Sequence, residues 1–153
     1  MPDAGECALM RFKDGYNCCQ SVFSSLAQRY GVEDAQAIRL ATGFGAGMAR
    51  GGICGAVSGA VMLLGLAGGG GGHENQALKM ATFARVKDFY GRFSERHGSV
   101  ICRDLLGLDP STPQGRTAAR DEGLFSTVCT RLIVDAVSLV QQIIAENGLP
   151  DRA

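Results

Sequence analysis

A single-domain, all-α fold is what the sequence predicts, on three observations. Apolar residues recur at helical spacing in segment after segment. No alternating strand pattern lasts beyond a few residues. Glycines, prolines and capping side chains punctuate the chain closely enough for a compact helical bundle of about six or seven helices. With 153 residues the chain is read as one domain, 1–153, long enough to bury a sizeable core.

The spacing predicts a first helix over about Gly5–Lys13, ending near Gly15. A second begins behind Asn17, a good N-cap, and runs through Val22, Phe23, Leu26, Ala27 and Tyr30 until Gly31 stops it. A third starts near Glu33, carries Ala37, Ile38, Leu40 and Ala41, and is broken by the glycines at 43, 45 and 47. The stretch "GGICGAVSGAVMLLGLAGGGGG" supplies a fourth, from about Gly52 to Leu66. Its apolar part, Ile53–Ala67, falls short of a bilayer span and is interrupted by three glycines and a serine, so a buried central helix is expected. The glycine run at 68–72 reads as a flexible connector.

A fifth helix, about Glu74–His97, places Leu78, Ala81, Phe83, Val86, Phe89 and Phe93 on a broad apolar face. Ser99 can cap a short sixth, "VICRDLLG", which Gly107 and Pro110 end. The stretch "DPSTPQGRTAARDEG" reads as a polar connector. Ser126 then caps the last helix, with the stripe Leu132, Ile133, Ala136, Val137, Val140 and Ile144. Met48, Met62 and Met80 read as core filler, and His73 and His97 as caps or surface residues.

Fifteen basic residues balance fifteen acidic ones, so nothing in the net charge points to nucleic acid, and no membrane insertion is expected. The N-terminus has no apolar run and mixes charges, unlike a secretory signal, which points to the cytoplasm. Six cysteines in a reducing compartment stay as thiols, bind metal or do redox chemistry.

Four of the six fall at predicted helix starts. Cys18 follows Asn17, Cys54 follows Gly51 and Gly52, Cys102 lies three residues past Ser99, and Cys129 three past Ser126. Free backbone N–H groups and the positive end of the helix dipole lower a thiol's pKa there. Converging, the four would form the ligand set of an iron–sulfur cluster: four thiolates, hydrogen bonds to sulfur and shielding from water. The competing reading is that long-spaced cysteines in a helical domain are small core hydrophobes. No C-x-x-C occurs, so zinc ribbon, thioredoxin-like, ferredoxin and haem c motifs are absent. Cys19 points about 100° away from Cys18 around its helix and reads as structural, as does Cys7, which is held in reserve as a ligand.

The segment "CGAVSG", Cys54–Gly59, carries a C-G-A-x-x-G signature, and with it the chain resembles the bacterial and archaeal C_GCAxxG_C_C family of redox-active proteins. "YNCCQSVF", "GFGAGMARGGICGAVSGAVMLLGL", "GSVICRDLLGLD" and "TVCTRLIVDAV" are similar to that family's other cysteine segments. The resemblance carries the four defining cysteines onto Cys18, Cys54, Cys102 and Cys129. Related modules look to be joined to split-Soret-type cytochromes and imply an iron–sulfur cluster. This chain, without a haem motif, would be the stand-alone form. The resemblance names no substrate.

Gly51, Gly55 and Gly59 recur every fourth residue, so on a helix they would line one face and admit a backbone or a cluster. With Gly52 they are the candidate cofactor-binding glycines. The loop "GFGAGMARGG" is expected to turn backbone N–H groups toward the cysteines, with Arg50 as a balancing charge. Three functions follow. The leading one is an electron-transfer protein holding an iron–sulfur cluster through the four cysteines and serving a redox partner protein. A thiol–disulfide oxidoreductase with a low-pKa cysteine pair is the second, and a four-thiolate zinc protein the third. Whether the protein is an enzyme stays open, and a homodimer is expected because apolar faces of small bundles pair symmetrically.

Overall fold

The computed structural model describes residues 2–69 and 72–152. Among them lie eight α-helices: α1 (Ala4–Lys13), α2 (Cys18–Leu26), α3 (Asp34–Ala41), α4 (Gly55–Gly68), α5 (Gln76–His97), α6 (Cys102–Leu106), α7 (Pro113–Asp121) and α8 (Thr130–Glu146). The only pairing of extended backbone among the described residues is one antiparallel bridge, Ile53 with Ile101. Gly70 and Gly71, part of the glycine run read as a connector, lie outside the described residues.

Capping chemistry sets the early boundaries. Asp3 and Glu6 exchange backbone N–H bonds at the start of α1, and Asn17 and Gln20 do the same at α2. The α2 turn continues as a 3₁₀ turn, Ala27–Tyr30, before Gly31 ends it at φ 84°. The central helix α4 is apolar on every side and sits between α2, α5 and α8, burying Ala56, Val57, Ala60, Leu63 and Leu64. Gly59 is its contact with α2: a Cβ there would stand 3.1 Å from the Cys19 carbonyl oxygen and 3.3 Å from the Phe23 nitrogen. Small residues let the two backbones approach.

The stripe expected on the last helix is buried in full, from Leu132 to Ile144. This helix begins earlier than Ser126, because a π-type turn, Phe125–Cys129, runs into α8 without a break. The resulting 22-residue segment, Phe125–Glu146, is long and apolar enough to cross a membrane by length and composition. That property falls on α8 and not on the glycine-rich stretch, and α8 spends its apolar face on α1, α4 and α5.

Other expectations need correction. The polar stretch after Pro110 contains a helix, α7, capped by Thr112, whose Oγ1 accepts from the Gly115 N–H at 2.9 Å, with Pro113 in its first turn. This helix is polar, and its one buried residue, Ala119, is too small to mark an inner face in the sequence. The apolar face of α5 is buried only at Phe89 and Phe93; Leu78, Met80 and Phe83 are exposed, as is Met48. His97 is no surface residue: its ring lies 4.6 Å from that of Phe93 and its Nε2 is 2.9 Å from Asp135 on α8.

Candidate four-cysteine site

Cys18, Cys54, Cys102 and Cys129, separated by up to 111 residues in sequence, surround one enclosed space of about 20 Å³. Ala56, Leu105, Leu106 and Leu132 close its sides. Cys7 and Cys19 take no part in the lining. All six cysteines are free thiols. Among the described residues, no group of three or more His, Cys, Asp or Glu side chains is set to hold a metal ion. The four cysteines ring a space without being drawn onto one point.

Three local devices place the four thiols. Cys18 is the first residue of α2, placed by the Asn17–Gln20 box. The same two side chains also reach across to the next loop: Asn17 Nδ2 donates to the Thr42 carbonyl at 2.9 Å, and Gln20 Nε2 to the Ile38 carbonyl and Thr42 Oγ1 at 3.1 and 3.0 Å. That fixes the segment which carries the Ala46 amide over the Cys18 sulfur.

The segment itself is unusual. Ala46, Gly47, Met48 and Ala49 have φ of 52°, 64°, 59° and 58°, a run of left-handed backbone containing three residues with a Cβ. Each of those three costs about 1–2 kcal/mol. The turn is closed by the Gly52 N–H donating to the Gly47 carbonyl at 2.9 Å. Gly47 has no room for a side chain, since a Cβ would lie 2.7 Å from Gly52 O and 3.0 Å from the Cys102 Cβ. Strain of this kind persists where surrounding structure over-determines it, commonly beside a functional site.

Cys54 and Cys102 are placed by a reciprocal pair of bonds. The Cys54 N–H donates to the Val100 carbonyl at 2.8 Å, and the Cys102 N–H to the Gly52 carbonyl at 2.6 Å, on either side of the Ile53–Ile101 bridge. Two Ile-Cys dipeptides, each leading into a helix, are thereby clamped side by side. Cys129 comes from the π-type turn and lies inside a continuous helical segment. Three of the four cysteines thus stand at helix starts, and the fourth does not.

The expectation of low thiol pKa values fails. Burial raises Cys18 above its ordinary value, opposed by the backbone amides of Ala46, Cys19 and Gly55. Burial likewise lifts Cys54 well above it, with the nearby Cys18 adding to the rise and the amides of Ala56 and Val57 opposing. Cys102 is pushed up to about 12 by burial, Cys18 and Asp109. Cys129 is pushed up to about 12 by burial, Cys18 and Cys102. Desolvation in an apolar pocket outweighs the helix-start effect.

A pH dependence follows. In the reduced, metal-free protein the thiols keep their protons above their ordinary value of 9.0. The unfolded chain loses them first, so stability is fully present below about pH 9 and declines as pH rises toward about 12. Urea unfolding at pH 8, 9 and 10 with chelator present should show a falling midpoint. A midpoint that rises over this range would contradict the buried-thiol assignment.

The four candidate cofactor glycines support the site without lining it. Gly55 lies against Cys18, whose sulfur occupies the place a Cβ would take. Gly52 offers the carbonyl that holds Cys102. Gly51 lies outside α4 at φ 66°, with no room for a Cβ beside Arg103 and Asp109. Gly59 serves helix packing, as above. The helical every-fourth-residue register is correct only for Gly55 and Gly59.

The three lining leucines escaped the sequence reading as site residues, whereas the loop expected to turn backbone N–H groups toward the cysteines does so at Ala46. The leucines lie near cysteines already singled out, and alanine in left-handed backbone leaves no sequence signal.

Comparison with known proteins bears on the same residues. A protein-family model described as "Putative redox-active protein (C_GCAxxG_C_C)" matches residues 16–143, a span that contains all four pocket cysteines. No curated protein matches the chain, and no solved structure does. With most of its length matched and the cysteines of its signature segments gathered around one space, this chain belongs to the C_GCAxxG_C_C family of redox-active proteins.

Proposed function

We propose that the protein is a small redox carrier in which Cys18, Cys54, Cys102 and Cys129 bind an iron–sulfur cluster and exchange electrons with a partner protein. The observation that carries this reading is the gathering of four thiols from four helical segments around one apolar space.

The residues suit such a group chemically. Four thiols supply the ligand number, the amides of Ala46, Cys19 and Gly55 face Cys18, and those of Ala56 and Val57 face Cys54. Hydrogen bonds to sulfur and an apolar enclosure are the means by which a protein sets a cluster's potential. A bound cluster would supply one-electron exchange. The chain's own part is to hold the sulfurs, exclude water through Leu105, Leu106 and Leu132, and release thiol protons on binding.

The raised thiol pKa values count against a dithiol oxidoreductase, which needs a thiolate near neutral pH. A zinc site through the same thiols is the remaining competitor, and it is colourless.

The test is a visible absorption spectrum with iron, zinc and acid-labile sulfide determined on protein purified without oxygen. A broad charge-transfer band with iron and sulfide in comparable amounts is expected. A colourless protein containing zinc, or no metal, would overturn the reading.

A further inference from the structure

A second, larger cavity adjoins the cysteines. It measures about 470 Å³ and shares Cys18, Cys102, Leu106 and Cys129 with the enclosed space. Its volume is that of a small-molecule pocket. Phe12 and Tyr16 at the end of α1, and Phe125 in the π-type turn, give it aromatic walls. Arg116 and Arg120 line it from α7, one helical turn apart and so on one face.

The charge pattern is one-sided. No carboxylate lines the cavity. Among the described residues neither Arg116 nor Arg120 has an acidic partner, so both guanidinium groups are free to meet a ligand. Two unpaired guanidinium groups beside aromatic surface are what binds a molecule with an anionic head and an apolar body. Guanidinium forks pair with carboxylate or phosphate oxygens in two-pronged fashion, and the rings take the body. A concave shape suits a small molecule better than a protein surface.

We propose that this cleft binds a small organic anion, its carboxylate or phosphate on Arg116 and Arg120 and its apolar part against Phe12, Tyr16 and Phe125, beside Cys18, Cys102 and Cys129. The site goes beyond electron exchange with a protein partner, and it does not depend on which cofactor the cysteines hold.

Isothermal titration of the full chain with phenyl phosphate, phenylacetate and benzyl alcohol tests this. The two anions should bind at one site, each about tenfold or more tighter than the neutral alcohol. Arg116→Gln and Arg120→Gln should each weaken anion binding about tenfold, with unchanged far-ultraviolet circular dichroism, while Lys87→Gln on α5 has no effect. Absence of saturable anion binding, or equal affinity in the Arg116→Gln/Arg120→Gln double variant, would overturn the proposal. Iron and sulfide measured on the same samples separate the two readings. Anion binding retained in iron-free protein supports the cleft while removing the cluster, and cluster-loaded protein that binds neither anion does the reverse.

Discussion

Cys54→Ser is expected to abolish bound iron and sulfide while leaving the fold intact. Cys54 is the N-cap of α4, with φ −52° and ψ 133°, and the amides of Ala56 and Val57 in the first turn face its sulfur. Serine is among the best N-cap residues, and its oxygen can accept from the same amides, so α4 should hold. The helix start is therefore kept and one sulfur ligand removed. Cys7→Ser and Cys19→Ser serve as comparisons, since neither residue lines the enclosed space. Cys19 is wholly buried beside Ser58 and α4, so its variant is expected to lose stability but not metal. Iron and sulfide per chain, with a thermal melt, read both effects. Equal metal content in all three variants would defeat the assignment of Cys54 as a ligand.

The second large effect is expected at Gly55, where two rules oppose each other. Alanine is the better helix former by about 1 kcal/mol, so propensity alone predicts that Gly55→Ala stabilises α4. The surroundings predict the reverse. An added Cβ would run into the Cys18 sulfur, stand 2.9 Å from the Cys19 nitrogen and 3.2 Å from the Phe44 carbonyl oxygen. The sulfur can turn aside, but backbone cannot, so overpacking of about 1–3 kcal/mol should win. Displacing Cys18 should lower metal content as well. Gly65, on the same helix, is exposed and has nothing within 4 Å of the Cβ position. Gly65→Ala should therefore stabilise by about 0.4–1 kcal/mol. Urea unfolding of the pair gives opposite signs if the close contact at Gly55 decides the matter. A stabilised Gly55→Ala would mean that the backbone of Cys19 and Phe44 does not close on α4 as described.

Much of the fold was legible because its signals are local. Asn17 before Cys18, Gly31 after Tyr30 and the stripe from Leu132 to Ile144 each act within one or two turns, and each appears where expected. The failures have equally specific causes. α7 buries one side chain, an alanine, and no large apolar residue marks its inner face. Ser126 resembles a cap, yet the turn around it is helical already, its hydroxyl donating to the Gly123 carbonyl. Leu78 and Phe83 complete an apolar stripe on α5, but both side chains stay exposed.

The site divides along the same line. The sequence alone singled out Cys18, Cys54, Cys102 and Cys129, because cysteine position relative to caps and glycines, together with the C-G-A-x-x-G signature, is written in the chain. It also determined that the helix through Cys54 must pack closely, since glycines admit a neighbouring backbone. Only the tertiary structure decided that the four thiols meet, through one Ile53–Ile101 bridge and a strained left-handed turn held by Asn17 and Gln20. It also turned the expected lowering of the thiol pKa values into a rise. A helix start favours thiolate by a local field, but burial among Leu105, Leu106 and Leu132 is a property of distant segments brought together, and desolvation is the larger energy.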